Sequence, residues 1–182
     1  KTAVFISGAG SNLKNLIKFS RIKKSPISIN LIISNTSKAK GLKFSKQFQI
    51  PKKIFNFDKS RNTERNILSF LKKKKINFLC LAGFMKILSN NFIKKFKGKI
   101  VNIHPSLLPK YKGLNTHERA IKNREKLSGC TVHYVTQKLD SGKIIMQRKV
   151  KITIKDNKIT LARKVLKKEH QLYPAAISKI LN

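Results

Sequence analysis

The chain is poor in acidic residues, cysteine and tryptophan, and these shortages exclude several classes of protein. Its 182 residues include seven Asp or Glu, two Cys and no Trp. Cys80 and Cys130 lie within apolar runs and lack the spacing of metal ligands, so we predict neither a disulfide nor a metal site. No apolar run approaches the length of a membrane span, and the amino terminus lacks the apolar segment of a secretion signal. We therefore expect a cytoplasmic protein that does not enter a membrane.

The shortage of acids leaves a formal net charge of +35, from 42 basic residues of which seven are Arg. Such a charge suits a basic nucleic-acid-binding module, which is the non-enzyme alternative. Proteins that read specific nucleic acids, however, use Arg for bidentate contacts and aromatic rings for stacking. The run from Lys72 to Lys75 contains neither. We attribute most of the charge to biased codon use and expect no specific nucleic-acid partner.

The pattern of apolar residues predicts one α/β domain over 1–182. Short apolar runs alternate with amphipathic segments, which is typical of a mainly parallel sheet with helices on both faces. The length suffices for a single domain with a full core. Predicted strands cover 2–7, 28–34, 53–55, 76–81, 100–103 and 130–135, with edge strands in 144–154. A predicted helix begins at 11, and others cover 38–48, 61–75 and 158–180.

Polar side chains follow two of the predicted strands. Asn102 and His104 are two residues apart on an extended chain, so their side chains point the same way. Asp140 follows a later strand and precedes Gly142, which we expect to permit a tight turn. An amide, an imidazole and a carboxylate at strand ends can polarise a carbonyl, stabilise an oxyanion and relay a proton. These three residues are therefore candidate catalytic residues.

This group lacks a nucleophile. Ser106 and Cys130 are nearby, but neither lies in the strand, turn and helix context of an activated Ser or Cys. We therefore expect a group to pass directly between two bound substrates. Each candidate also has a structural interpretation, since Asn and His often serve as local hydrogen-bonding residues and Asp140 can form a cap or an ion pair. Because the chain has so few acidic residues, we expect those that are present to be ones that the fold or the chemistry requires.

A glycine-rich turn joins the first strand to the first helix. Gly8-Ala9-Gly10 is followed by Ser11 and Asn12, which we expect to cap the helix. Backbone amides at the positive end of a helix suit an anion. The third Gly of a dinucleotide-binding turn is absent, because Leu13 occupies its place, so a phosphomonoester suits this turn better than NAD. A turn that only connects strand and helix has the same pattern.

Two further segments have alternative interpretations. The apolar loop 83–88 can wall a pocket for a flat aromatic ligand, or it can fill the core, and the residues alone favour neither. Arg61, ahead of a helix, can contact a ligand anion or remain solvated at the start of the helix.

Six segments of the chain together resemble the phosphoribosylglycinamide formyltransferase family, over essentially the whole length. They are ISGAGSNL at 6–13, LAGFMKILS at 81–89, NIHPSLLP at 102–109, GCTVH at 129–133, LDSG at 139–142, and Glu169-His170 with Tyr173-Pro174. The resemblance implies a single Rossmann-like formyltransferase domain, with phosphate binding in the N-terminal half and folate binding and catalysis in the C-terminal half. It also implies transfer of a formyl group from the co-substrate 10-formyltetrahydrofolate to the amine of glycinamide ribonucleotide, in purine biosynthesis.

The resemblance also implies a role for individual residues. Asn102, His104 and Asp140 would be catalytic. The ribonucleotide would be bound by Gly10, Ser11, Asn12 and Glu169, and the folate by Arg61, Met85, Lys86, Ile87, Leu88 and Asn102. Lys86 stands where the family usually has Arg, and Lys lacks the bidentate fork for the folate's glutamate carboxylate. The expected partners are these small molecules, in a monomer or a homodimer.

Two related activities are the enzymatic alternatives. Methionyl-tRNA formyltransferases use a related Ser-Leu-Leu-Pro loop, and formyltetrahydrofolate deformylases have similar catalytic residues. The first carries an added carboxyl-terminal domain and the second an added amino-terminal domain. The sequence contains neither, so we expect glycinamide ribonucleotide as the formyl acceptor.

Overall fold

The computed structural model describes residues 1–57 and 62–182, so Arg61 lies outside the described residues. The chain divides into two compact units, Lys1–Val101 and Asn102–Asn182. Within the described residues, seven β-strands and six α-helices follow one another in a mixed order. The predicted α/β class is confirmed.

The first unit contains four parallel strands: β1 (Thr2–Ile6), β2 (Ile29–Ser34), β3 (Lys52–Ile54) and β4 (Phe78–Leu81). β1 pairs with both β2 and β4, and β2 pairs with β3, which gives the order β3-β2-β1-β4. All residues of β1 and β4 are buried, as expected for parallel strands that are covered on both faces. The chain therefore winds from β1 outward to β3 and returns on the other side of β1, as in a doubly wound sheet.

The helices of the first unit are α1 (Ser11–Ser20), α2 (Lys43–Phe48), α3 (Thr63–Lys73) and α4 (Asn90–Lys95). α1 buries Leu13, Leu16 and Ile17, which are spaced to share one face. The helix predicted over 38–48 is only partly correct, because a 3₁₀ turn at Lys40–Leu42 precedes α2. α4 was not predicted, since its six residues are too few to show a helical period.

The second unit contains α5 (Thr116–Lys122), β6 (Leu127–Tyr134), β7 (Ile144–Lys151) and α6 (Lys158–Leu181). A further strand, β5 (Lys99–His104), ends in this unit. β6 and β7 form an antiparallel pair, and α6 packs against both. The stripe that α6 buries includes Leu161, Val165, Leu172, Tyr173, Ala176 and Ile177. This stripe supplies most of the helix side of the unit's core.

β7 is the outer strand of this pair, since β6 is its sheet partner among the described strands. Arg148, Lys149 and Lys151 on β7 are exposed. The two cysteines, Cys80 and Cys130, are buried free thiols, which confirms their predicted place in the core. Among residues 1–57 and 62–182, no helix is both long enough and apolar enough to span a membrane.

Candidate active site

The three residues predicted to be catalytic lie together in the second unit. Asn102 and His104 lie in the second half of β5, which ends at His104, and Asp140 lies in the loop between β6 and β7. His104 Nδ1 is 3.3 Å from Asp140 Oδ2, and each of these side chains is 7% exposed. Residues far apart in the sequence are thus brought into contact in a site that largely excludes water.

A second histidine, which is not among the predicted site residues, joins this group. His133 Nε2 is 3.2 Å from Asn102 Nδ2 and 3.6 Å from Asp140 Oδ1. Its Nδ1 is 2.9 Å from the Tyr134 carbonyl oxygen. Because a carbonyl can only accept, Nδ1 carries a proton, and Nε2 can then accept one hydrogen of the Asn102 amide. His133 therefore orients Asn102, whose amide has a second hydrogen to offer to a ligand.

The backbone near Asp140 fixes the position of its carboxylate. Asp140 has a φ of 45°, in the left-handed region that few residues other than Gly adopt. The Gly113 N–H donates to Asp140 Oδ2 at 2.9 Å. Gly142 is needed for a different reason from the one expected: a Cβ there would lie 1.7 Å from the Tyr134 carbonyl oxygen. A close backbone approach therefore requires glycine two residues after the carboxylate.

The electrostatics favour a neutral imidazole beside an ionised carboxylate. Burial lowers the pKa of His104, and the hydrogen bond to Tyr111 and the charge of Asp140 only partly oppose it. Burial acts to raise the pKa of Asp140, but the neighbouring His133, the Gly113 N–H and His104 outweigh it, and this pKa lies below its usual value. At neutral pH, Asp140 is therefore an anion next to a neutral His104.

In the His104–Asp140 pair, the two facing atoms have no proton between them. His104 Nε2 lies 2.9 Å from the Tyr111 carbonyl oxygen, and Nδ1 lies 3.3 Å from Asp140 Oδ2. Both oxygens only accept, and the shorter contact favours a neutral ring with its proton on Nε2. Nδ1 and Asp140 Oδ2 then face each other as two acceptors. Such a pair can take up a proton from an attacking nucleophile, after which Nδ1–H can donate to a negatively charged oxygen.

The predicted phosphate-binding turn forms the start of α1 in the first unit. Gly10 is the N-cap, with a φ of 74°, and no side chain caps the helix. The expectation that Ser11 and Asn12 act as caps is therefore wrong, because both lie within the first turn. A Cβ on Gly10 would also lie 2.7 Å from Gly41 Cα. The first turn has no acidic side chain, so the positive end of the helix dipole is available to attract an anion.

The predicted folate-binding segment follows β4 in the same unit. The Ser7 N–H donates to the Gly83 carbonyl at 3.0 Å, and the Met85 N–H donates to Ser7 Oγ at 2.8 Å. The ends of β1 and β4 are thus tied together where the winding of the sheet reverses, a position at which α/β proteins bind ligands. Met85 and Ile87 are 64% and 69% exposed, whereas Leu88 is buried.

The remaining predicted ligand residues lie in different surroundings. Lys86 is half-buried. Glu169 is buried on α6, and its charge acts on Cys130 of β6. Burial first, and then Glu169, raise the pKa of Cys130 to about 12, so this thiol is not an activated nucleophile. Within the described ranges, no group of His, Cys, Asp and Glu is arranged to hold a metal ion.

The sequence matches known proteins along nearly its whole length. A family described as formyl transferase matches residues 1–177. The phosphoribosylglycinamide formyltransferase of Haemophilus influenzae is 42% identical over 180 residues, which are 97% of this chain and 85% of that protein. The trifunctional purine biosynthetic protein adenosine-3 of Homo sapiens is 40% identical over 99% of this chain, which spans 18% of that longer protein.

The fold matches as well. The crystal structure of phosphoribosylglycinamide formyltransferase from Brucella melitensis gives a TM-score of 0.94 at 41% identity, and covers 99% of this chain and 94% of that one. The match thus includes the strands, the turns and the loop that hold Asn102, His104 and Asp140. The chain belongs to the formyl transferase family, among the phosphoribosylglycinamide formyltransferases.

Proposed function

We propose that this chain transfers the formyl group of 10-formyltetrahydrofolate to the amine of glycinamide ribonucleotide, as a step of purine biosynthesis. The observation that carries the proposal is the contact between His104 and Asp140, with Asn102 held beside them by His133. This arrangement supplies a hydrogen-bond donor for an oxyanion and a proton acceptor, but no nucleophile. It therefore suits direct transfer between two bound substrates.

In the proposed reaction, the amine nitrogen attacks the formyl carbon and the carbonyl oxygen becomes an oxyanion. The Asn102 amide donates to this oxygen. The proton that the amine releases goes to the His104–Asp140 pair, which then also donates to the oxyanion through Nδ1–H. When the bond from the formyl carbon to the folate nitrogen breaks, that nitrogen takes the proton. The enzyme ends with its original protonation state.

Each substrate has a proposed set of contacts. The amides at the start of α1, with Gly10, Ser11 and Asn12, bind the ribonucleotide phosphate, and Glu169 binds near its amine. The exposed side chains of Met85 and Ile87 support a pterin pocket in the segment after β4. The proposed folate contacts are Arg61, Met85, Lys86, Ile87, Leu88 and Asn102.

The proposal extends to the organisation of the protein. A single domain over 1–182 binds phosphate with its N-terminal half and binds folate and performs catalysis with its C-terminal half. The enzyme acts in the cytoplasm on these two small molecules, as a monomer or a homodimer, without a metal or a nucleic-acid partner.

The test is a formyl-transfer assay. Purified protein is mixed with 10-formyltetrahydrofolate and glycinamide ribonucleotide, and the change in folate absorbance is followed. Parallel reactions contain methionyl-tRNA or water as the only acceptor. We expect turnover only in the reaction whose acceptor is glycinamide ribonucleotide. Turnover with tRNA or water, and none with the ribonucleotide, would refute the proposal in favour of one of the related activities.

Two variants complete this assay. Replacing His104 by Ala removes the proton acceptor and should lower kcat roughly 10²- to 10⁴-fold, the usual range for general acid–base catalysis. The matched control is Glu118→Gln, which alters an exposed carboxylate 3.6 Å from Lys158 and should leave turnover unchanged. Equal activity of both variants would remove His104 from the mechanism.

A further inference from the structure

The proton acceptor of the site depends on a backbone group outside it. His104 Nε2 is 2.9 Å from the carbonyl oxygen of Tyr111. This oxygen only accepts, as does Asp140 Oδ2, which lies 3.3 Å from Nδ1. The shorter contact, to Tyr111, favours the ring form with its proton on Nε2. In that form Nδ1, the atom beside Asp140, has a lone pair. In the other neutral form Nδ1 would carry a proton, and it could not accept one from the amine.

Tyr111 is held firmly in an unfavourable backbone conformation. Its φ is 56°, in the left-handed region. Its hydroxyl donates to Glu125 Oε1 at 2.8 Å and accepts from Asn123 Nδ2 at 2.9 Å. The Arg119 guanidinium lies 5.0 Å from the centre of the Tyr111 ring and also donates to the Lys112 carbonyl at 2.7 Å. Contacts of the side chain therefore compensate for the conformation that places the carbonyl.

We propose that Tyr111, anchored by Arg119, Asn123 and Glu125, is a positioning residue that fixes the ring form and orientation of His104. We call these four residues the Tyr111 clamp. Its effect on turnover rests on the proposed formyl transfer, whereas its effect on the His104 ring does not. Hydrogen-bond partners that orient a metal-ligating imidazole typically contribute about 10- to 100-fold to affinity or activity, and we expect an effect of the same order for His104.

Glu125 is well suited to hold the phenol. The hydrogen bond from Lys110, and then that from Tyr111, lower the pKa of the Glu125 carboxyl, so it is ionised at neutral pH. Lys110 Nζ donates to the same Oε1 atom at 2.8 Å. The two bonds can be separated by mutation, because removing the Lys110 ammonium leaves the phenol bond intact.

The kinetic test compares four variants. Tyr111→Phe removes both bonds of the hydroxyl but keeps the ring beside Arg119, and should lower kcat about tenfold or more with little change in either KM. Glu125→Ala should act similarly, and Glu125→Gln, which keeps an acceptor oxygen, should recover most of that loss. Lys110→Met is the control and should match the wild type. Equal kcat for Tyr111→Phe and Lys110→Met would overturn the proposal.

The spectroscopic test reads the ring form directly. Long-range ¹H–¹⁵N spectra resolve the nitrogens of all four histidines, and His104→Ala assigns the His104 signals. In the wild type we expect Nε2 protonated and Nδ1 unprotonated, and in Tyr111→Phe a mixture of both forms. A wild-type His104 protonated on Nδ1 alone would overturn the proposal even if Tyr111→Phe fails to fold. An unchanged ring form in a folded Tyr111→Phe with reduced kcat would also overturn it, because the role would then be structural.

The two tests separate this inference from the proposed function. If the wild type shows the expected His104 ring form and Tyr111→Phe disturbs it, but no formyl transfer is observed, the positioning role stands and the proposed reaction fails. If formyl transfer occurs and the ring form is insensitive to Tyr111, the reaction stands and the positioning role fails.

Discussion

Adding one methyl group at Gly142 tests whether the position of Asp140 controls the reaction rate. In Gly142→Ala the new Cβ would lie 1.7 Å from the Tyr134 carbonyl oxygen, where real contacts do not fall below 3.0 Å. The two atoms that would lie closer than 3.0 Å to this Cβ are the carbonyl oxygen and carbon of Tyr134, which belong to the backbone. The turn must therefore shift by more than about 1 Å. Asp140 is two residues away, and its contact with His104 depends on that turn.

The size of the effect follows from this displacement. A misplacement of about 1 Å in a catalytic group costs roughly 10²-fold in rate, which is about 2.7 kcal/mol of transition-state stabilisation. We expect kcat to fall by this factor. Overpacking should also lower the free energy of unfolding by about 1–3 kcal/mol. Steady-state kinetics with both substrates, and urea unfolding, measure the two effects separately.

Two variants control this experiment. Ser141→Ala shortens the neighbouring side chain without adding an atom, and should keep kcat within a few-fold. Gly129→Ala produces a similar clash in the same hairpin, with its Cβ 2.1 Å from the Arg148 carbonyl oxygen. It should lower stability much as Gly142→Ala does but have a smaller effect on kcat. A wild-type rate in Gly142→Ala, or an equal rate loss in Gly129→Ala, would refute the reasoning.

Three further predictions concern the same site and the surface. His133→Ala removes the partner of Asn102 and should lower kcat about 10- to 100-fold with a smaller change in KM; a wild-type kcat would show that Asn102 needs no partner. Because the pKa values of His104 and Asp140 are lowered in the folded state, the unfolded chain binds more protons in acid. The contribution of these two groups to the free energy of unfolding should therefore be complete above pH 6.5, the ordinary pKa of His, and should decrease as the pH drops below it. Urea titrations at several pH values check this. The charge of +35 should attract anionic substrates, so kcat/KM should fall with added salt while kcat stays constant, and a flat salt profile would contradict this.

The sequence was a good guide where burial determines structure. Apolar runs correctly located β1, β2 and β4, because parallel strands covered on both faces need continuous apolar residues. The two-residue period of β5 and the turn after β6 correctly indicated that His104 and Asp140 come together, and His133 links Asn102 to Asp140. The scarcity of acids also indicated that those present have specific partners. Glu64 accepts a hydrogen bond from the backbone N–H of Ser89, at the start of α4, and Asp156 forms an ion pair with Lys164.

The parts that the sequence missed depend on groups without a local pattern. His133 lies inside an apolar strand, where a histidine resembles an ordinary core residue, although its alternation with Thr131 on a strand leading to Asp140 was a usable signal. The Tyr111 carbonyl is a backbone group, which every residue possesses. The left-handed conformation of Asp140 is imposed by the surrounding fold, since aspartate only tolerates it. These contacts become visible only when the strands and loops are placed in space.

The cations along β7 have a consequence for the behaviour of concentrated protein. An outer strand offers unpaired backbone groups onto which another chain can add, and this is a common route to fibrils. A chain that paired with β7 would lie about 4.8 Å away. Two copies meeting there would bring Arg148, Lys149 and Lys151 against the same residues of the other copy. Charge repulsion therefore protects this edge from polymerisation, and high salt weakens that protection.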